Sequence, residues 1–113
     1  MAKRAQSFPM HQDNDQQKEL NHITATLRQQ LPSLTEKFRV NSLGVFGSYV
    51  RQQQRPESDI DLLVTFDDPP GLLKFIELEN YLTDLLGIKV DLVMKDALKP
   101  MIGEQILSEA VQI

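Results

Sequence analysis

The chain has 113 residues, no cysteine and a net charge of −4, with 41% hydrophobic and 25% charged residues. This composition is ordinary for one globular domain, and the lack of cysteine excludes a disulfide scaffold, a thiol nucleophile and thiolate metal sites. A sequence pI near 5.1 argues against direct nucleic-acid binding, which usually needs a basic face. No apolar run approaches the ~20 residues of a membrane helix, and no apolar segment follows the basic start as in a signal peptide. We therefore expect a cytoplasmic protein.

The amino-terminal third predicts a tail and two helices. Residues 1–15 are polar and aperiodic, which indicates a flexible polar tail ahead of a single domain at 16–113. Pro32 is expected to end the first helix, and the Ser33–Glu36 capping box to begin a short second helix that runs to Phe38. The first helix is predicted from apolar residues on one stripe of a 3.6-residue period, namely Leu20, Ile23, Leu27 and Leu31.

Three apolar runs then predict strands, at Val40–Phe46, Ile60–Phe66 and Ile88–Met94. A full helix that ends at Gly87 links the second and third strands, so these strands should be parallel with a right-handed crossover. A last helix is expected to begin at Pro100 and to carry a broad apolar set, namely Met101, Ile102, Ile106, Leu107, Ala110 and Val111. The breadth of this set is more than one buried stripe requires, which favours a protein interface on part of it.

The chemistry of the chain is concentrated in a Gly-Ser pair and three aspartates. Gly47 and Ser48 stand between a predicted strand and a helix start, and Asp59 and Asp61 follow after ten residues. Because side chains alternate along a strand, Asp59 and Asp61 should face the same side. Two such carboxylates repel each other, and a divalent cation would remove that conflict.

The third strand adds Asp91 within an apolar run. If it lies beside the second strand, Asp91 joins Asp59 and Asp61 as a triad that can hold two Mg²⁺ ions for phosphoryl or nucleotidyl transfer. The glycine lets a phosphate approach the backbone, and the hydroxyl of Ser48 can bind phosphate oxygens. Arg51, one turn later, can add a charged contact to the same phosphates.

Each of these residues also has a simpler interpretation. Asp59 and Asp61 can form a solvated acid pair at a turn, and Asp91 can pair with Lys89, which shares its face of the strand. Ser48 can serve only as a helix cap, and Arg51 can be a surface charge. Other residues carry no signal for a site: Tyr49 is expected to pack beside the first strand, and His11 and His22 to lie on the surface.

Taken together, Gly47-Ser48, the Ser58–Val64 segment and the Val90–Val93 segment resemble the minimal nucleotidyltransferases of the DNA polymerase beta superfamily. The signature of that family is Gly-Ser, ten residues, Asp-x-Asp and a later Asp. The resemblance covers about residues 17–113 and extends to the closing Ile106–Val111 segment. One residue departs from the pattern, since Gln52 stands where the family often has glycine.

This resemblance implies an α/β (α+β) fold, with a small mixed sheet flanked by helices, as in polymerase beta. It implies Asp59, Asp61 and Asp91 as metal ligands, with Asp91 also a candidate base, and Gly47 and Ser48 as holders of the triphosphate. The cofactor implied is Mg²⁺, as two ions, with ATP as the substrate. Many such proteins resemble the antitoxin of a type VII-like toxin–antitoxin pair, whose partner is a helical HEPN ribonuclease.

We therefore expect a protein adenylyltransferase that transfers AMP from ATP to a tyrosine hydroxyl of a HEPN-type toxin. Two alternatives stay open. The protein can be an antitoxin that neutralises its partner by binding alone, although binding would not need three convergent acids. It can also be a small-molecule nucleotidyltransferase, but the catalytic core is followed by no domain that would bind a small acceptor. The acceptor is thus expected on a partner protein or on a second copy of this chain.

Overall fold

In the computed structural model, which describes residues 8–113 and their side chains from Asp15 onward, the chain forms an α/β fold with one mixed sheet. Four α-helices occur in this part of the chain: α1 (Phe8–Phe38), α2 (Ser48–Arg51), α3 (Leu72–Leu86) and α4 (Pro100–Glu109). The strands of the same part are β1 (Val40–Phe46), β2 (Ile60–Phe66), β3 (Val90–Met94) and β4 (Val111–Gln112), and a 3₁₀ turn spans Lys95–Ala97. None of the described helices is both long and apolar enough to cross a bilayer.

The strands are ordered β3-β2-β1-β4. The predicted parallel pairing of β2 with β3 is confirmed, and the crossover helix between them, α3, ends at Gly87 as expected. Gly87 adopts a left-handed conformation (φ 70°), and its N–H donates to the carbonyl of Thr83, which is a common glycine stop of a helix. β1 is antiparallel to both of its neighbours, β2 and β4, so the sheet is mixed, as the resemblance implies.

The first helix is longer than predicted at both ends. It begins at Phe8, within the segment that we expected to form a tail, and it continues through Pro32 to Phe38. The prediction that Pro32 ends the helix is therefore wrong. Residues 1–7 and the side chain of His11 lie outside the described part, and a domain boundary at residue 16 stays a prediction.

Burial explains why α1 survives its proline. A proline inside a helix removes one backbone hydrogen bond and costs about 3 kcal/mol. Beyond it, however, Leu34 and Phe38 are buried in the same core as Leu27. Full burial of two such side chains contributes about 3–6 kcal/mol, which is enough to keep the last turns helical.

The last helix is shorter than predicted. α4 ends at Glu109, so Ala110 and Val111 are outside the helix, contrary to the prediction. Val111 instead pairs with Val45 of β1, and the N–H of Ile113 donates to the carbonyl of Leu43 at 2.9 Å. This pairing satisfies the hydrogen-bonding groups of the β1 backbone along its free edge. Because the two segments are far apart in the chain, no periodic pattern in the sequence indicates the pairing.

The core lies between the sheet and the helices α1 and α3. α3 is fully buried at Leu78 and Leu82. Two polar residues of the same helix cover the outer edge of β3: Glu79 accepts from the N–H of Leu92 at 2.9 Å, and Thr83 accepts from the N–H of Val90 at 3.0 Å. These bonds occupy edge donors that another strand would otherwise pair with.

Candidate active site

The turn from β1 into α2 is built around Gly47, which is buried and has φ 81° and ψ −152°. Its carbonyl accepts from the N–H groups of Val50 and Arg51, both at 3.1 Å, which starts the short helix. A Cβ atom at this position would overlap the Oδ2 atom of Asp61 and lie 3.1 Å from its Cγ. Only glycine fits here, because the conformation disfavours other residues and the acid occupies the space of a side chain.

Asp61 and Asp91 are direct register partners on the parallel strands β2 and β3. Register partners project from the same side of a sheet, so the two carboxylates share one face, as predicted. Across the antiparallel ladder, Asp61 is also the partner of Phe46, the last residue of β1. The sheet therefore gathers both acids at the turn that contains Gly47.

The protonation of Asp61 reflects this crowding. Its pKa is raised from 3.8 to about 6, first by burial and then by the negative charges of Asp91 and Asp59. Arg51 lowers the pKa of Asp61 and Glu109 raises it. No side-chain hydrogen bond or ion pair joins Asp61 to another residue between 15 and 113. The cluster thus carries negative charge that the surrounding side chains do not neutralise.

Asp59 comes just before β2 and is exposed to solvent. It is close enough to Asp61 to influence its pKa, yet the described residues contain no set of three acids or histidines already gathered like metal ligands. Asp61 and Asp91 suit a divalent cation of the Mg²⁺ type, because carboxylate oxygens are its preferred protein ligands and the pair is uncompensated. That Asp59 completes a metal triad stays a prediction.

The other predicted residues surround this cluster. Ser48 is the first residue of α2 and makes no capping bond through its side chain, since Gly47 holds the cap position. Tyr49 is buried in the core, as expected, and burial raises the pKa of its hydroxyl. Within the described part of the chain, Asp91 forms no ion pair with Lys89, the simpler partner that the sequence offered.

Arg51 is not the isolated surface charge of the simpler interpretation. Its Nη1 atom lies 2.6 Å from the Oε1 atom of Glu109, at the end of α4. Sequence reasoning missed Glu109 as part of the site, because 58 residues separate the two partners and no spacing rule links them. The signal that could have found it is an acid at the end of the last helix, directly before a chain segment that pairs with β1.

Gln52, the departure from the family pattern, adopts a left-handed conformation with φ 58°. Glycine adopts this conformation without steric cost, whereas glutamine adopts it less readily. Here the side-chain amide of Gln52 donates to Gln17 of α1, and that of Gln54 donates to Glu19 at 2.8 Å. The loop after Arg51 is thus held against the first helix by side chains.

Comparison with known proteins identifies the family and the fold. A model of the nucleotidyltransferase domain matches residues 27–113, which include the Gly-Ser turn and all three aspartates. The chain belongs to the nucleotidyltransferase domain family. Like the other members, it is a nucleotidyltransferase, and the resemblance to the minimal nucleotidyltransferases is confirmed.

Sequence relatives of this nucleotidyltransferase have a similar length. It is 50% identical over 94 residues to the protein adenylyltransferase MntA of Thermococcus cleftensis, covering 83% of this chain and 95% of the relative. A relative from Methanocaldococcus jannaschii, proposed to be a protein adenylyltransferase, is 48% identical over 97 residues, or 85% of this chain and 99% of its own length.

Solved structures agree with the fold. A chain proposed to be a minimal nucleotidyltransferase superposes with a TM-score of 0.68 at 35% identity, covering 87% of this chain and 95% of the other. A toxin–antitoxin complex with AMP-PNP matches with a TM-score of 0.61 at 28% identity, covering 81% and 69%. The expected fold class is therefore confirmed, and the family assignment agrees with the chemistry that Asp61 and Asp91 make available.

Proposed function

We propose that this nucleotidyltransferase transfers AMP from ATP to a tyrosine hydroxyl on a helical HEPN-type toxin, and thereby acts as the antitoxin. The observation that carries the proposal is the pairing of Asp61 with Asp91 beside Gly47, in a family that transfers nucleotides. Its similarity to a protein adenylyltransferase, MntA, supports a protein as the acceptor. Further support comes from a structural neighbour at 27% identity and a TM-score of 0.54, an MNT antitoxin bound to a tri-AMPylated HEPN toxin of Shewanella oneidensis.

The phosphates of ATP would bind at the turn between β1 and α2. Because Gly47 has no side chain, the carboxylate of Asp61 lies against this turn, and a triphosphate bound at the turn would be next to that acid. The N–H groups of Val50 and Arg51 are used by the carbonyl of Gly47, which leaves the N–H groups of Ser48 and Tyr49 and the hydroxyl of Ser48 to donate to phosphate oxygens. The AMP-PNP complex of a neighbour supports ATP as the nucleotide.

Asp59, Asp61 and Asp91 would hold Mg²⁺, which supplies stabilisation of negative charge on the attacking and leaving oxygens. The carboxylate of Asp91 would accept the proton of the tyrosine Oη, since that hydroxyl has an ordinary pKa near 10 and is a weak nucleophile while protonated. The bond between the α- and β-phosphates breaks, one forms between Oη and the α-phosphorus, and pyrophosphate leaves.

A protein acceptor also suits the surface of α4. Met101 is 83% exposed, and Ile102 and Leu107 are about half exposed. Exposed apolar side chains on one short helix are typical of a protein–protein contact rather than of a small-molecule site. We therefore propose that the exposed side of α4 contacts the toxin. A second copy of this chain is the alternative partner for this surface.

Catalysis and masking can be separated by one pair of assays. The partner to be tested is a helical HEPN-type protein, and a neighbouring gene whose product carries an Arg-x4-His motif would be the first candidate. Its ribonuclease activity would be measured after incubation with the wild type, with Asp61→Asn or with Asp91→Asn, in the presence and absence of ATP and Mg²⁺.

Under the proposal only the wild type neutralises the toxin durably, it requires both ATP and Mg²⁺, and the neutralisation survives removal of the antitoxin. Equal neutralisation by wild type and Asp61→Asn without ATP would establish masking as the mechanism. Asp68→Asn, which removes an exposed charge from the turn after β2, is the control for a general effect of charge.

A further inference from the structure

The ion pair between Arg51 and Glu109 joins two distant parts of the chain at the edge of the acid cluster. The Nη1 atom of Arg51 lies 2.6 Å from Oε1 of Glu109, and its Nε donates to Oε1 of Gln53 at 3.3 Å. Two ion pairs form between residues 15 and 113, and the second joins Lys74 to Glu77 on one turn of α3. Of the two pairs, only Arg51–Glu109 joins separate elements of the fold.

Both partners are fixed to the same strand, β1. Arg51 follows directly from the end of β1, because its N–H donates to the carbonyl of Gly47. Glu109 is held from the other side, because the residues after it form β4 and pair with Gly44 and Val45. A Cβ on Gly44 would lie 3.2 Å from Oε1 of Gln112, so glycine allows this close approach of the chain end.

The guanidinium of Arg51 has a competing acid nearby. The N–H of Arg51 donates to the carbonyl of Gly47, and Asp61 packs against Gly47, so the arginine starts within one helical turn of this carboxylate; yet its guanidinium pairs with Glu109. An arginine can form a bidentate pair with a carboxylate, and such a pair on Asp61 would occupy the oxygens that a cation needs. Glu109, whose side chain is only 24% exposed, occupies the guanidinium instead.

We propose that Glu109 is a positioning residue that diverts Arg51 from Asp61, which keeps the Asp61 carboxylate free for a divalent cation and Arg51 beside the phosphate-binding turn. This inference rests on the proposed function, because it assumes a cation at Asp61. It assigns a role to the end of α4. It also gives a role to β4, which otherwise only completes the sheet.

Mn²⁺ binding without nucleotide tests the inference independently of activity. Free Mn²⁺ would be counted by electron paramagnetic resonance during titration of the wild type, Glu109→Gln, Arg51→Gln and the double variant. Asp61→Asn defines the site-specific part of the binding, and Glu104→Gln is the matched control. Because Glu109→Gln also removes a nearby negative charge, the comparison is between its effects with and without Arg51.

We expect Glu109→Gln to weaken Mn²⁺ binding by about fivefold more in the wild-type background than in Arg51→Gln, the scale of one partly exposed ion pair. Arg51→Gln alone should strengthen binding. An equal effect of Glu109→Gln in both backgrounds would overturn the inference and leave the proposed function intact. If wild type and Asp61→Asn bind Mn²⁺ equally, the cation site itself is refuted, and the inference falls with it.

Discussion

Replacing Gly47 by alanine perturbs the site at a single atom. The new Cβ would overlap Oδ2 of Asp61 and lie 3.1 Å from its Cγ, at a backbone conformation (φ 81°, ψ −152°) that alanine rarely adopts. The conformational strain costs about 1–3 kcal/mol. To reach ordinary contact distance, the carboxylate must also move by about 1 Å, and a misplacement of that size can cost about 100-fold in rate.

We therefore expect Gly47→Ala to lower the free energy of unfolding by about 2 kcal/mol and AMP transfer by about 100-fold or more. Denaturant unfolding and a nucleotide-transfer assay measure the two effects. Gly71→Ala is the matched control, since that glycine has φ −71° and a Cβ there meets no atom within 4 Å.

A second background separates strain from collision. In Asp61→Ala the carboxylate is gone, so Gly47→Ala should then cost only the conformational strain, and its effect on stability should shrink. If Gly47→Ala retains wild-type transfer and stability, the close approach of Gly47 to Asp61 does not shape the site, and the reasoning is refuted.

Three further predictions concern stability. In the metal-free protein, Asp61→Asn should stabilise the fold by about 1 kcal/mol after allowance for solvent screening. Since the folded pKa of Asp61 is raised from 3.8 to about 6, this gain should be absent below pH 4, grow between pH 4 and 6 and stay constant above; a gain that falls with rising pH would contradict the assignment. Pro32→Ala should raise the free energy of unfolding by about 1–3 kcal/mol, because it restores a hydrogen bond inside α1. Thermal melting followed by circular dichroism measures this, and an unchanged melting midpoint would contradict a continuous helix at residue 32. Glu79→Ala should cost about 1–2 kcal/mol in denaturant unfolding, since it removes the acceptor of the Leu92 N–H, whereas Glu77→Ala on the same helix should cost less than ~0.5 kcal/mol; equal costs would refute the edge-protection role.

Local patterns predicted the elements that hold the cluster of acids. The strands β1 and β2 have the predicted bounds, because each is a short apolar run that ends at a turn residue. The parallel arrangement of β2 and β3 followed from one topological rule, the crossover through α3, and the structure adds the register that pairs Asp61 with Asp91. The sheet and the acid cluster could therefore be predicted together, because the acids lie in or beside the apolar runs that form the strands.

The features that sequence reasoning missed depend on contacts between distant segments. The continuation of α1 past Pro32 is decided by burial of Leu34 and Phe38, which a local rule for proline does not count. β4 has only two residues and exists because β1 offers it an edge. The ion pair of Arg51 with Glu109 follows from β4, so it was hidden for the same reason.

Intact-mass spectrometry of the partner toxin tests the central claim most directly. The toxin would be incubated with ATP, Mg²⁺ and either the wild type or Asp61→Asn, and the modified residue then located by peptide fragmentation. The account predicts a mass increase of one AMP, or a small multiple of it, on tyrosine with the wild type and none with Asp61→Asn, because the carboxylate needed for metal-assisted transfer is missing. An unchanged toxin mass with the wild type, or the same increase with Asp61→Asn, would contradict it.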